Sequence, residues 1–474
     1  MLLTTASPAF AVRTTVNSFD IFDTLVARRC VSPLALLAEV GVTDGRRDFV
    51  AARLAAEQRC ASEGSYDISA IYRKLAAIGY CDDAQARRLM TAEIDAEFAN
   101  ATPIAENIAA VRDYDLVLSD MYLPATILQE LLHHVGLRRP VHLFVGNDGK
   151  RSGELWHRLA KRWLITRHTG DNPTSDVAVP QGLGIPVTHY AGATLSAAET
   201  YLDELGLHAL ARSARALRLG NPFPTSTIEG AAWDHFVQFN LPLLALAAFE
   251  VRLRRQQSGR QRVLFVARDC EFLSEIFLAL FPAESTAVIH TSRIMLASDG
   301  PTSAAYFAKQ GVAGALVCDL VSTGLSWLRF CQASGCEVDF FSLVLIDNYQ
   351  YQAFDAGELQ RQPNFRFSHA LRASAVTGFS KAIEAMNTAP HGSTLGITEL
   401  DGAFAPVFAD HHELPANVIA SLVTAQAAAV RELRACRDQL LAEIDNIPDR
   451  REALETLVRS LCAPDWLNRL AASI

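Results

Sequence analysis

The stretch "VNSFDIFDTLVARR" (16–29) predicts the first strand of the fold and the functional residues that follow it. Residues 15–19 form a short run of apolar and β-branched character, which is typical of a strand buried in a sheet. Asp20 stands where this strand ends, and Asp23 follows in the next turn. Ligands of open α/β sheets bind outside the carboxyl ends of the strands, so the position suits a functional carboxylate. A helix cap and a turn residue are the alternative interpretation of the two acids.

Further strand-like segments alternate with helical stretches along the first part of the chain. They are "DLVLSD" (115–120), "VHLFVG" (141–146) and "VTHYAG" (187–192), whereas 31–112 has helical apolar spacing. Such alternation predicts a doubly wound parallel sheet. We therefore expect an α/β domain over 14–205, with a helical insertion at about 31–112.

A second α/β domain is predicted after a stretch rich in Gly, Pro, Ser and Thr (219–227), which suits a domain junction. A long helix (about 232–256) comes first. Four apolar strands then follow: "RVLFVA", "TAVIHT", "GALVCD" and "VDFFSLVLID". We expect a Rossmann-like α/β domain over 220–385 and a mostly helical C-terminal region over 386–474.

Composition narrows the class of protein. The 474 residues are 50% apolar and carry a formal net charge of −9, which gives no basic surface for nucleic acid or an anionic membrane. Nine cysteines without a CxxC pair favour reduced thiols and a cytoplasmic location. Residues 1–12 lack a basic leader region, and we expect no membrane span because no stretch reaches about 20 apolar residues.

Polar residues recur at the predicted strand ends and helix starts of the first domain. Asp20 and Ser119 end strands, Lys150 precedes a helix, and Asp171 and Asp176 lie in "HTGDNPTSD". Together they suit phosphoryl transfer through a covalent aspartyl intermediate: a carboxylate attacks phosphorus, a hydroxyl and an ammonium stabilise the phosphoryl oxygens, and further carboxylates hold Mg²⁺.

These segments resemble the haloacid dehalogenase (HAD) superfamily of hydrolases over residues 14–205. "FDIFDTL" is similar to its first motif, "LVLSD" to its second, "GKRSG" to its third and "GDNPTSD" to its fourth. The resemblance implies that the helical block at 31–112 is a cap domain that closes over the active site and selects a phosphorylated sugar or nucleotide-like substrate. It also implies a Mg²⁺ site formed by Asp20, the backbone carbonyl of Phe22, Asp171 and Asp176.

The sequence departs from the phosphatases of this superfamily at Phe22. Those enzymes carry a general acid and base two residues after the nucleophile, and here the next acid is Asp23, one residue later. We therefore expect slow phosphoester hydrolysis, with Asp23 or a cap residue as the replacement base. The backbone carbonyl of Phe22 still suits a metal ligand.

The second domain contains a candidate phosphate loop. "ALVCDLVSTGLSWL" (315–328) reads as a strand, an acid and a hydroxyl-rich turn leading into a helix, which can bind a phosphate on backbone N–H groups. It resembles the phosphoribosyl-diphosphate loop of type I phosphoribosyltransferases, with Cys318 in place of one acid. From the resemblance and the turn chemistry we expect the following residues to bind a phosphate-bearing ligand: Arg268, Asp269, Asp319, Ser322, Thr323, Gly324 and Ser326. An ordinary strand–helix unit with a capping hydroxyl is the alternative.

At whole-chain level, "SFDIFDTL", "RVLFVARD", "TSR" (291–293) and "NTAPHGSTLG" (387–396) are similar to a group of long bacterial HAD-like hydrolases associated with surface-polysaccharide synthesis. The main hypothesis is a Mg²⁺-dependent phosphohydrolase acting on a small phosphorylated metabolite. Two alternatives stay open: a transferase centred on Asp319 with an accessory HAD domain, and a non-catalytic interaction module with degenerate sites.

Overall fold

The computed structural model describes residues 13–147, 149–297, 300–347, 363–373, 379–410 and 414–461. The chain forms two compact units, Met1–Leu195 and Ser196–Ile474. The expectations for the leader region (1–12) and for the end of the C-terminal region (462–474) lie outside the described residues. The helix Ala197–Glu204 belongs to the second unit, whereas the sequence analysis placed it in the first.

The first unit is built on a parallel sheet of five strands. Its strands, and a separate antiparallel pair (β2 and β3), are β1 (Thr14–Asp20), β2 (Val26–Arg28), β3 (Ala101–Pro103), β4 (Leu116–Ser119), β5 (His142–Val145), β6 (Trp163–Gly170) and β7 (Val187–His189). The strand order is β5-β4-β1-β6-β7, and every pairing in this sheet is parallel. The connections run outward in both directions from β1. Asp20 ends β1 at this topological switch point, which is where open α/β sheets bind their ligands.

Four helices lie between β2 and β3 and form the block predicted at 31–112. They are Pro33–Thr43, Phe49–Glu63, Ile68–Ala77 and Asp83–Asn100, and a short helix, Ala105–Ala110, follows β3. Side-chain caps begin three of the four: Ser32 accepts from Ala35 N, Asp67 from Ala70 N, and Asp82 forms a capping box with Gln85. The block packs on the sheet through one apolar core that includes Phe19, Ile71 and Leu128.

The remaining helices of the first unit connect the sheet strands. They are Ala125–His134, Glu154–Leu159, Val179–Gly182 and a π-helical segment, Pro173–Ala178. β6 was missed from the sequence because Thr166 and Arg167 point to solvent and break the apolar run that marks the other central strands.

The second unit contains another parallel five-stranded sheet and an antiparallel hairpin. Its strands are β8 (Arg262–Val266), β9 (Ser285–Ile289), β10 (Ala315–Ser322), β11 (Val338–Leu345), β12 (Phe365–Arg372), β13 (Thr394–Leu400) and β14 (Ala403–Phe408). The sheet order is β12-β11-β10-β8-β9, and β13 pairs with β14. The predicted α/β class, with two parallel sheets flanked by helices, is therefore confirmed. Two details differ: β10 continues through Asp319 to Ser322, and the hairpin interrupts the C-terminal region predicted as mostly helical.

Helices cover both faces of the second sheet. They are Ala197–Glu204, His208–Leu219, Ile228–His235, Leu241–Ser258, Glu271–Leu280, Arg293–Ala297, Pro301–Gln310, Leu325–Ser334, Ser380–Met386, Ala416–Asp445 and Arg450–Leu461, with a π-helical segment Phe236–Asn240 and a 3₁₀ turn Val312–Gly314. Among the described residues, only the continuous helical stretch Ile228–Ser258 is long and apolar enough to cross a membrane, and 83% of its apolar window is buried inside the protein. Its buried side chains belong to the apolar core of this unit.

Candidate active site

A tight helical turn directly after β1 places Asp20 at the edge of the sheet. The backbone N–H groups of Leu25 and Val26 both donate to the carbonyl oxygen of Ile21 at 2.8 Å, and Asp23 N donates to Val26 O at 2.7 Å. Asp23 adopts a left-handed backbone conformation with φ 55°, which Asp tolerates better than most residues. The chain therefore reverses within a few residues and leaves Asp20 at the carboxyl end of β1, with 6% of its surface exposed.

Lys150 is held in place by contacts along its own backbone. Its N–H donates to both carboxylate oxygens of Asp120 at 3.1 Å, and its carbonyl accepts from Trp156 Nε1 at 3.1 Å. The side chain is 3% exposed, and its ammonium donates to Asp20 Oδ1 and, at 2.8 Å, to Asp176 Oδ1. One buried cation thus links two buried carboxylates.

Asp176 lies in the π-helical segment Pro173–Ala178. The Asn172 side chain accepts hydrogen bonds from the first N–H groups of this segment. Its carboxylate accepts from Lys150, from His168 Nε2 at 3.1 Å and from Asn172 N at 3.1 Å. Gly170 is required here, because a Cβ at this position would lie 2.4 Å from Asp176 Cβ. The close approach brings Asp176 against the end of β6.

Three carboxylates converge at this edge. Ligand oxygens of Asp20, Asp171 and Asp176 all lie within 4.8 Å of one another, with Asp171 half-buried and the other two buried. Oxygen ligands of this kind suit Mg²⁺. Lys150 balances only one of the three negative charges, so the cluster retains a charge that a divalent cation would neutralise.

Burial and mutual repulsion govern the ionisation of the cluster. Burial, with a smaller contribution from Asp176, raises the pKa of Asp20 to about 7 even though Lys150 opposes the shift. Burial and the charge of Asp23 raise the pKa of Asp171 to about 6. Burial also opposes ionisation of Asp176, but hydrogen bonds and charge from His168 and Lys150 outweigh it and lower its pKa to about 2. Burial favours the neutral form of Lys150. The negative charges of Asp20 and Asp176 outweigh this effect and raise its pKa.

The other predicted residues of the first unit lie around this cluster. Ser119 ends β4 beside β1 and is 3% exposed. Phe22 packs its ring under the guanidinium of Arg28, 4.4 Å from the ring centre. Asp23 is half-buried and close enough to Asp171 to act on its pKa. The structure therefore brings the predicted residues of the first unit to one edge of the sheet.

Two residues of this site were missed from the sequence. His168 is fully buried in β6 and connects Ser18 Oγ, 2.9 Å from its Nδ1, with Asp176. Burial lowers the pKa of His168, although the bond to Asp176 opposes the shift. Asp120 follows Ser119 directly and orients Lys150. The signals were an isolated histidine in the strand before Asp171 and the acid that completes "LVLSD".

A cavity of about 390 Å³ lies at the carboxyl edge of the second sheet. Of the predicted residues, those lining it are Arg268, Asp269, Asp319, Ser322, Thr323 and Ser326. Gly324 does not line it. Gly324 has φ 73°, begins the helix Leu325–Ser334, and sits where a Cβ would lie 2.9 Å from the Phe367 ring. Its positive φ is needed for the turn that begins this helix.

Charged residues meet inside this cavity. Arg268 donates to Asp269 at 2.9 Å and to Ser393 Oγ at 3.1 Å. Burial, followed by the negative charge of Asp269, raises the pKa of Asp319 to about 7. Ser322 and Thr323 accept from Gly324 N and Leu325 N, so part of their hydrogen-bonding capacity serves the turn.

Sequence reasoning gave no role to several residues of this edge. Thr291, Ser292 and Arg293 line the cavity from the segment after β9, and Ser393 and Thr394 line it from the start of β13. These residues lie in "TSR" and "NTAPHGSTLG", two segments that were noted in the sequence without a role for any single residue.

No protein-family model matches the chain, and a search of curated proteins finds no match either. Both sites therefore have to be interpreted from their own chemistry.

Proposed function

We propose that the first unit is a Mg²⁺-dependent phosphohydrolase of the HAD type that acts on a phosphorylated sugar or nucleotide-like metabolite. The observation that carries this proposal is the convergence of Asp20, Lys150, Asp171 and Asp176 at the carboxyl end of the central strand. A nucleophilic carboxylate, a fixed ammonium and an oxygen-ligand site are the parts that phosphoryl transfer needs.

Asp20 supplies the nucleophile. One carboxylate oxygen forms a bond to phosphorus while the bond from phosphorus to the leaving oxygen breaks. Lys150 holds the Asp20 carboxylate in one orientation and balances part of its charge. Water then cleaves the aspartyl phosphate, which releases inorganic phosphate and regenerates the carboxylate.

Asp23 is the candidate for proton transfer, because Phe22 occupies the position at which a phosphatase of this type carries its acid. Its positive φ turns it away from the regular path of the strand, and it lies near Asp171. It would donate a proton to the leaving oxygen and later accept one from water. Phe22 contributes its backbone carbonyl to the metal site.

Mg²⁺, when bound, would neutralise charge on the phosphoryl oxygens. Asp20 and Asp171 present oxygen atoms that fit it, and Asp176 offers a lone pair beyond its three hydrogen bonds. In the double variant Asp171→Asn, Asp176→Asn, we expect Mg²⁺ affinity measured by calorimetry to fall. An unchanged affinity would remove both residues from the metal site.

The second unit offers a different candidate function, binding or transfer of a phosphate-bearing sugar. Its cavity of about 390 Å³ has the size of a small-molecule site, and serine, threonine and arginine side chains line it. These groups donate hydrogen bonds to phosphate, and Asp319 can accept from sugar hydroxyl groups. Titration of phosphoribosyl diphosphate and ribose 5-phosphate into wild type and Asp319→Asn tests this function.

A screen of phosphorylated metabolites with the full chain and Mg²⁺ tests the main proposal. Asp20→Asn keeps the shape of the nucleophile and removes its charge, so phosphate release should be lost while the circular dichroism spectrum is retained. Asp203→Asn is the matched control, since Asp203 is a partly exposed acid of the second unit that pairs with His208. Equal phosphate release by wild type and Asp20→Asn would refute the assignment of Asp20.

A further inference from the structure

Three segments distant in sequence bring two histidines and a glutamate together in the second unit. Glu271 begins the helix after β8, His290 follows β9, and His391 lies in the loop before β13. One ligand atom of each lies within 4.8 Å of the other two, and all three residues are half-buried. No predicted site residue belongs to this cluster, which we call the His–His–Glu cluster.

Hydrogen bonding fixes the proton on His391. Its Nδ1 lies 2.9 Å from the carbonyl oxygen of Gly392, and a carbonyl only accepts, so Nδ1 carries the proton. The other ring nitrogen, Nε2, lies 2.5 Å from Glu271 Oε1. A lone pair and a carboxylate oxygen repel each other at that distance unless a cation lies between them. That cation is either a proton, carried by the ring or by the carboxyl group of Glu271, or a metal ion that binds both atoms.

His290 favours the metal ion. Its Nδ1 is buried and has no hydrogen-bond partner among the described residues. A buried nitrogen without a hydrogen-bond partner is energetically costly. If a proton alone joined His391 and Glu271, the nearby His290 ring would have no part in that contact. Two imidazoles and one carboxylate, in contrast, form a ligand set that divalent transition metals bind with positions left open for water or substrate.

The surroundings of His391 fit a ligand as well. The Nδ1 donation to a backbone carbonyl is the contact that metal-bound histidines usually make, because it fixes the tautomer and the ring orientation. The ring also stacks on Phe408, with centroids 4.1 Å apart. Both contacts hold Nε2 towards Glu271.

We propose that Glu271, His290 and His391, which do not themselves line the second-unit cavity, bind a divalent transition-metal ion of the zinc class close to it. Each of the three lies one or two residues from a residue that lines the cavity: Asp269, Thr291 and Ser393. Metal–nitrogen bonds of about 2.0–2.1 Å would move His391 Nε2 and Glu271 Oε1 slightly apart. The site is independent of the oxygen-ligand cluster around Asp20, whose chemistry suits Mg²⁺.

Zinc binding to the full chain tests the proposal. The protein is stripped with a chelator, dialysed, and titrated with Zn²⁺ in excess Mg²⁺, so that the carboxylate cluster of the first unit does not contribute. We expect the wild-type chain to bind one Zn²⁺ ion. The variants His290→Asn and His391→Asn should each bind it at least about 100-fold more weakly, which exceeds the effect typical of substitutions outside the ligand set. Glu271→Gln, which keeps the side-chain shape, should also weaken binding.

His369→Asn is the matched control, because His369 is a half-buried histidine of the same unit outside the cluster. It should bind Zn²⁺ as wild type does. Circular dichroism of the metal-free variants checks their fold, and the visible absorption of Co²⁺ added to wild type reports nitrogen ligation without any substitution. Equal Zn²⁺ affinity in all variants would place the ion elsewhere. No binding to wild type would show that the cation is a proton and would overturn the proposal.

Discussion

Replacement of Lys150 by methionine should weaken the first unit far more than the same replacement of Lys74. Methionine keeps the apolar stem of the side chain as far as Cε and removes the ammonium group. At Lys150 the change leaves Asp20 and Asp176, both buried, without their shared ammonium. Lys74 pairs with Glu63 at 2.6 Å on the surface of the same unit, so it tests an ion pair of equal chemistry and different burial.

The magnitude follows from burial. Breaking a buried ion pair by removing one partner costs about 3–5 kcal/mol, because the remaining charge is uncompensated. An exposed pair contributes about 0–1 kcal/mol. At about 1.4 kcal/mol for each tenfold change, amide hydrogen exchange in β1 and β6 should be about 10²- to 4 × 10³-fold faster in Lys150→Met and less than about fivefold faster in Lys74→Met.

Hydrogen exchange measured by mass spectrometry suits this comparison because it reports each unit separately. Both variants are measured in chelator, so that no bound metal replaces the ammonium. Peptides from β8 and β10 in the second unit provide an internal reference that neither substitution should change. Equal acceleration of exchange in the two variants would refute the view that Lys150 stabilises the buried carboxylates.

Three further predictions concern other positions. Phe22→Asp should raise the rate of phosphate release by restoring an acid at the usual position, and an unchanged or lower rate would show that another group already acts as the base. Gly324→Ala should be more destabilising in urea than Gly335→Ala: both glycines have φ near 70°, but only at Gly324 would the new Cβ collide with an aromatic ring. In Asp339→Asn the loss of unfolding free energy should be largest at neutral pH and shrink in acid. Burial opposes ionisation of Asp339, but hydrogen bonds from Arg366 and Arg260 outweigh it and lower its pKa. The stabilisation is therefore present at pH values above the unfolded pKa of 3.8 and is lost as the pH falls through the lowered pKa of the folded state. A difference that is independent of pH would contradict this.

Local pattern made much of the first site predictable. Asp20 could be found because an apolar strand ends there, and Ser119 because the next strand does. Lys150 could be assigned only from its position in the order of the motifs along the chain. His168 could not be assigned, since a histidine in a strand looks like any core histidine until Ser18 and Asp176, distant in sequence, are known to contact it.

The second unit contains residues whose roles sequence patterns could not predict. Glu271 and His391 are 120 residues apart, and no spacing rule for metal ligands spans such a distance. Gly324 was predicted to let a phosphate approach the backbone, because glycine in a hydroxyl-rich turn permits that. Its positive φ and the nearby Phe367 ring show a conformational need that only the folded neighbours reveal.

The antiparallel pair of β2 and β3 has an evolutionary consequence. Arg28, where the chain leaves the sheet for the helical block, is paired directly with Ala101, where it returns. The two ends of the insertion therefore stay together whatever lies between them, and the entropy of closing a longer or shorter insertion changes only slowly with its length. The length of the block can therefore vary while Arg28 and Ala101 stay paired. Changes in the length of the block are thus separable from changes in the carboxylate cluster around Asp20.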